Sequence, residues 1–115
     1  MAVARNDWLT KHKALLIRSL KAIAQAEKFV MDHPAEARAI IQKRLSYDDE
    51  FMNSVWSENQ FSLSLDQSLI TAMEDEARWM IKNKMTTEKQ VLDFTNYIYV
   101  DGLKAVKPEA VNIIR

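Results

Sequence analysis

An all-α fold is what this sequence predicts, on three observations. One Gly and two Pro in 115 residues leave few positions for the φ > 0 turns that sandwiches, barrels and phosphate-cradling loops require. Apolar residues recur at helical spacing over two long stretches, one ending near position 33 and one starting near position 67. A content of 48% hydrophobic and 28% charged residues is that of one soluble domain, which at this length buries roughly two-thirds of its unfolded surface without disulfides or metals as staples. The expected architecture is a single domain over 1–115: a compact bundle of about five to seven helices with one short extended segment at 61–65.

The elements follow in order. From Lys13 to Asp32 the stripe Leu16, Leu20, Ile23, Ala24 and Val30 predicts a long amphipathic helix, with Ala22, Ala24 and Ala26 adding propensity. It ends near His33, because Pro34 drives the preceding residue out of the α region. Pro34 then opens a second helix at its first position, with Glu36 favouring the macrodipole and Ala37, Ile40, Ile41 and Leu45 as the inner stripe. Ser46 with Asp49 three residues later resembles a helix-start box before a short helix carrying Phe51, Met52, Val55 and Trp56. Phe61-Ser62-Leu63-Ser64-Leu65 alternates with period two, an extended segment with no strand to pair with and Phe61, Leu63 and Leu65 turned inward. Ser64 and Gln67 form a capping box ahead of a helix that runs to about Lys84 on Leu69, Ile70, Met73, Ala77, Met80 and Ile81. Thr87 to Phe94, Asn96 to Val106 and Pro108 to Ile114 read as short helices or turns, with Gly102 and Pro108 as breakers.

Composition removes several function classes. Sixteen basic residues balance sixteen acidic ones, so the basic excess of a dedicated nucleic-acid binder is missing. Without Cys there is no thiol chemistry and no Cys-ligated metal. Apolar runs reach four residues at most, as in Ala14 to Ile17, far short of the ~20 that span a bilayer. Arg5, Asp7 and Lys11 interrupt the start of the chain, which therefore carries no secretory signal in these residues.

Side-chain constellations exclude more than they suggest. His12 and His33 have no ligand partner at helical spacing, no Glu has His three residues on, and both histidines read as solvated surface groups. Neither has a setting that would activate a Ser or Thr nucleophile. The trio Asp48, Asp49, Glu50 fits a helix N-terminus, and Glu74 pairs with Arg78 one turn on. Neither acidic run is read as a cation or general-acid site. Arg18, Lys21 and Lys28 share one face of the first long helix with Lys11 continuing it, a solvated polar face with no interleaved aromatics. Residues 1–30 hold six basic and two acidic side chains and residues 46–80 one basic and eight acidic, an asymmetry that lets the two regions attract. Among the aromatics, Trp56 and Tyr97 are the candidates for contact with an organic ligand. No catalytic, cofactor-binding or metal-ligating residue is assigned.

Motif chemistry stops there, and a resemblance goes further. Val3-Ala4-Arg5-Asn6-Asp7-Trp8-Leu9, Ala26-Glu27 near the end of the long helix, and Asp32-His33-Pro34-Ala35-Glu36-Ala37 open it. It continues through Val55-Trp56, Phe61 to Leu69, Asp75-Glu76-Ala77-Arg78-Trp79 and Asn96-Tyr97-Ile98-Tyr99, and closes with Leu103-Lys104-Ala105-Val106-Lys107-Pro108-Glu109-Ala110-Val111. In order and spacing these runs resemble the C-terminal part of solute-binding proteins of bacterial ABC importers, of the nitrate, sulfonate, taurine and thiamine-precursor type. That family has two α/β lobes that close on a solute like a clamshell.

The resemblance implies that the chain is a fragment, the helical C-terminal return into lobe one of a periplasmic binding protein fold. It would be non-enzymatic and not ligand-competent alone; helix capping by Ser64 and Gln67 and packing, with Trp8, Trp56 and Trp79 as core, account for the matched motifs. Thiamine-pyrimidine synthases share the fold, but their catalytic residues would lie outside this segment. The parent would be periplasmic and would present its closed form to the importer's membrane component; a natural protein of this length without a signal would be cytoplasmic. The alternative is a self-contained helical protein–protein interaction module. A helical layer separated from its sheet exposes apolar faces, so a homo-oligomer is expected, with helices of two chains covering one another.

Overall fold

A computed structural model describes residues 1–114. Their backbone forms six α-helices, short 3₁₀ turns and one two-residue parallel strand pair, so the chain is mostly helical. It divides into two compact units, Met1–Leu63 and Ser64–Arg115.

The first unit holds α1 (Asn6–Lys11), α2 (Lys13–Asp32), α3 (Pro34–Leu45), α4 (Asp49–Val55) and a 3₁₀ turn at Trp56–Glu58. The expected helix from Lys13 ends at Asp32 as Pro34 requires, and Pro34 sits in the first turn of α3. Sequence periodicity missed α1. Its six residues show no stripe, and local bonds hold it instead: Arg5 pairs with Asp7 at 2.8 and 3.1 Å, and the Thr10 hydroxyl donates to the Asn6 carbonyl at 2.9 Å.

One device serves both joints around α2. His12 is the single residue between α1 and α2; its ring stacks on Trp8 at 4.8 Å, and its Nδ1–H donates to the Trp8 carbonyl at 2.9 Å. His33, between α2 and α3, stacks on Phe29 at 5.1 Å and lies 3.6 Å from Glu36. In each case the aromatic four residues earlier covers the turn where the chain changes direction.

The expected start of α4 is corrected. Ser46 is the left-handed residue that ends α3 (φ 55°), so it is not available as a cap. Asp48 caps instead, accepting from the Phe51 N–H at 2.7 Å. Gln42 donates to Asp49 at 2.6 Å and Arg38 bonds Asn53, tying α3 to α4 through polar groups. Of the expected α3 stripe, Ala37 is buried and Ile41 half-buried, but Ile40 is 57% and Leu45 53% exposed. The core of this unit is Ala37 and Met52, the latter 1% exposed.

The second unit runs β1 (Leu65–Asp66), α5 (Gln67–Lys82), a 3₁₀ turn at Phe94–Tyr97, α6 (Asp101–Val106), a 3₁₀ turn at Pro108–Ala110, and β2 (Val111–Asn112). The extended segment does find a partner: Leu65 and Asp66 pair in parallel with Val111 and Asn112. A parallel pair requires a long crossover, and α5 to α6 supply it. Alternation within 61–65 could not reveal a partner placed at the other end of the unit.

Because the α5 backbone begins directly after β1, Asp66 is its cap, accepting from the Ser68 N–H at 3.0 Å; the expected Ser64–Gln67 box is displaced. Gln67 accepts instead from the Ile114 N–H at 3.2 Å. The stripe Leu69, Ile70, Met73, Ala77, Met80, Ile81 is buried or half-buried, as periodicity requires. The helix stops at Lys82, where the Asn83 side chain donates to the Trp79 carbonyl at 2.8 Å, and Lys84 then takes a left-handed turn (φ 56°). Gly102 breaks nothing: it lies buried in α6 beside Leu103. The core here is Ile70, Leu103 and Ala110.

Burial falls well short of the apolar content. The surface is 9235 Å² for a mass of 13.3 kDa, whereas even two separately folded compact domains of half that mass would expose about 7,800 Å² together.

Two stability outcomes follow. Met52→Ala lowers the unfolding free energy of the first unit by about 2–4 kcal/mol and Met52→Leu by less than about 1.5, measured by urea denaturation. Lys84→Gly raises that of the second unit by about 0.5–1 kcal/mol, since glycine takes φ 56° without the steric penalty of a Cβ.

Candidate functional site

Two uncovered helix faces are the most prominent surface features. On α2, Leu16, Leu20, Ala24 and Val30 are half-buried. A second apolar set, Leu15, Ala22, Ala26 and Phe29, recurs at spacings of seven, four and three residues and is exposed. Such spacing places them on one face, with Ser19 in the same row donating to the Leu15 carbonyl at 2.9 Å. The expected basic stripe of Arg18, Lys21 and Lys28 borders this face; its last member is paired with Asp32. That pairing, a hydrogen bond from Lys28, holds the Asp32 carboxyl below the usual carboxylate range.

On α5 the outer face carries Ser68, Ala72, Asp75 and Trp79, with Glu76 at its edge, all exposed. Trp79 is 56% exposed, so it is not a core residue; the apolar stripe of α5 lies on the opposite face, and the helical period carries Trp79 away from it. The expected Glu74–Arg78 pair is present at 2.9 Å and is joined by Asp75 at 2.6 Å. These hydrogen bonds, Glu74 first and then Asp75, push the Arg78 guanidinium above its ordinary value.

Two hollows on the surface are shallow. One of about 240 Å³ is lined by Arg5, Asp7, Trp8, Lys11 and His12, and another of about 290 Å³ by Asp48, Glu50, Phe51 and Ser54. In the first, the Asp7 carboxylate already engages Arg5, and in the second the Asp48 carboxylate caps α4. Neither presents a nucleophile held by a base. Among the described residues no group of three or more His, Cys, Asp or Glu is placed to hold a metal ion, and no helix is long and apolar enough to cross a membrane.

Trp56 and Tyr97 lie in different units. Trp56 is half-buried and packs its ring on Phe61 at 5.1 Å. Tyr97 ends the 3₁₀ turn that Asp93 caps, and is 68% exposed. Neither lines the two hollows described. The Trp8–His12 and Phe29–His33 stacks went unnoticed in the sequence, although an aromatic four residues before each joint histidine was the available signal.

The chain matches no family model, no curated protein and no solved structure. Its functional reading rests on these faces and on its sequence.

Asp66 gives a pH outcome. Its hydrogen bond from the Ser68 hydroxyl, with those from backbone N–H groups, holds its carboxyl below the ordinary 3.8. A carboxyl lowered in the folded state contributes stability above its unfolded pKa and loses it as pH falls through the folded one. Helicity of the second unit therefore declines on acidification below about pH 4, and Asp66→Ala reduces both the neutral-pH helicity and that acid dependence, read by circular dichroism.

Proposed function

We infer that this chain acts by association rather than catalysis, as the helical C-terminal part of a solute-binding component of a bacterial importer of the nitrate, sulfonate, taurine and thiamine-precursor type. The observation that carries this reading is apolar surface left uncovered on both units: Leu15, Ile23, Phe29 and Ile40 in the first, Trp79, Leu92 and Tyr97 in the second. Exposed apolar side chains gathered on helix faces are surface that other polypeptide can cover. The β1–β2 pair supports the same reading. Parallel strands joined by a helical crossover are the unit of α/β folds, whose sheets are covered on both faces, and a pair two residues long is a small part of such a sheet. The sequence runs from Val3 to Val111, which resemble that family, are why this one is proposed.

In that reading the chain supplies helices to lobe one and no catalytic group. Solute binding, lobe closure and docking on the membrane component belong to the complete periplasmic protein. A self-contained interaction module is the second reading; the opposite charges bordering the α2 and α5 faces favour it, because such edges select a partner.

Complementation tests the first reading. A solute-binding protein of this type, lacking its own helical C-terminal part, is mixed with the chain; a one-to-one complex forms and regains a ligand-induced rise in melting temperature. The chain alone shows no rise with sulfonates, small anions, aromatic carboxylates or pyrimidines. Absence of a complex, or a ligand shift by the chain alone, overturns it.

A further inference from the structure

We propose that the exposed side of α2 lies on an anionic lipid surface, along it and not across it, with its apolar row sunk towards the acyl chains and its basic flank on the headgroups. The inference is independent of the importer reading, since it rests on one helix of the first unit.

Charge comes first. No Asp or Glu stands between Asp7 and Glu27, a stretch that holds Lys11, Lys13, Arg18 and Lys21. All four cations are exposed, and among the described residues none of them is in a salt bridge. Asp7 is already engaged by Arg5, and Glu27 is half-buried. Cations in such a setting draw a helix to a surface of negative charge, each adding to the attraction.

Their position beside the apolar row comes second. At about 100° per residue, Leu15, Ala22, Ala26 and Phe29 fall within about 60° of one another, with Arg18 about 50° and Lys21 about 110° from the middle of that row, both on the same side. Glu27 and the half-buried Leu16, Leu20 and Ala24 lie about 110–190° round the other way. The carboxylate is therefore kept off the basic flank, and what packs on α2 stands on its far side from the row. An interfacial helix sinks its apolar face by about 5–10 Å, which is about its own radius, so its axis comes to rest near headgroup level. Lys21 is then beside the headgroups rather than behind the helix, and Arg18, set deeper, reaches them along its flexible stem.

The relief of the row favours lipid over other anionic partners. Between Leu15 and Phe29 its side chains are small, and it lines neither of the two hollows described. A protein partner takes its register from pockets and anchors, and a nucleic acid from rings that stack on its bases. An acyl layer beneath charged headgroups requires only an apolar strip beside a basic one.

Vesicle binding tests this on the full chain. The chain partitions onto vesicles of phosphatidylcholine with one-third phosphatidylserine at least about tenfold more tightly than onto phosphatidylcholine alone. Arg18→Gln and Lys21→Gln each weaken that partitioning about fivefold, and the pair about twentyfold. Ala22→Leu tightens it about fivefold, a gain that damage to the fold does not produce. The chain has no Cys, so Ala26→Cys and Met31→Cys each carry a single environment-sensitive fluorophore. Emission shifts to the blue on anionic vesicles at position 26 and stays unchanged at position 31, which is 72% exposed but lies about 170° from the row. Equal binding to both vesicles overturns the proposal, as do indifference to the Gln substitutions, no gain from Ala22→Leu, or equal shifts at the two labelled positions. So does tighter binding to polyglutamate or duplex DNA than to the anionic vesicles, which assigns the cations to a macromolecular polyanion.

Discussion

A helix holds its shape in water only when one face is taken out of it, because the hydrogen bonds of an isolated helix barely offset the ordering of its backbone. In this chain that covering is scarce. Ala37 and Met52 in the first unit, and Ile70, Leu103 and Ala110 in the second, are the buried apolar residues among those described; three are medium to large and two are alanines. The 20-residue α2 has no fully buried residue, although apolar side chains occupy more than half of its circumference. One side is half-covered within its unit and the other meets solvent. Uncovered apolar area of this kind is surface that association would take out of water.

Local interactions carry more of the fold than they would in a protein with a fuller core. Asp48, Asp66 and Asp93 cap α4, α5 and the 3₁₀ turn at Phe94–Tyr97 through their carboxylates, each satisfying N–H groups that a helix start leaves without partners. His12 and His33 stack on aromatics at the two joints of α2. With one glycine in the chain, Ser46 and Lys84 take the left-handed positions that end α3 and α5. These are interactions between near neighbours in sequence, and they define each element without deciding what lies against it.

That division explains what was legible. Pro34 announced the α2–α3 joint, because its ring constrains the residue before it whatever the surroundings. The α5 stripe was legible because its inner face is buried or half-buried along its whole length. Ser46 and Ser64 misled because a Ser three residues before an acidic or amide side chain fits a cap wherever the helix begins, and the true starts fell two residues later, at Asp48 and Asp66. The exposed α2 face was hidden among residues that all count as apolar: Leu15 and Leu16 are the same residue type, and only packing distinguishes them. The candidate ligand contacts Trp56 and Tyr97 fell in different units and away from the two hollows described, because no pattern in the sequence tied them together.

By itself the sequence determined helical character, the extents of α2 and α3, the inner face of α5 and the Glu74–Arg78 pair, all of which depend on residues within a turn or two of one another. Only the tertiary structure decided the parallel pairing of Leu65–Asp66 with Val111–Asn112, the choice of caps, the exposure of Trp79, Ile40 and Tyr97, and which half of the α2 apolar arc stays bare. These depend on what packs against each element, and helical periodicity says which side chains share a face but not whether that face meets protein or water.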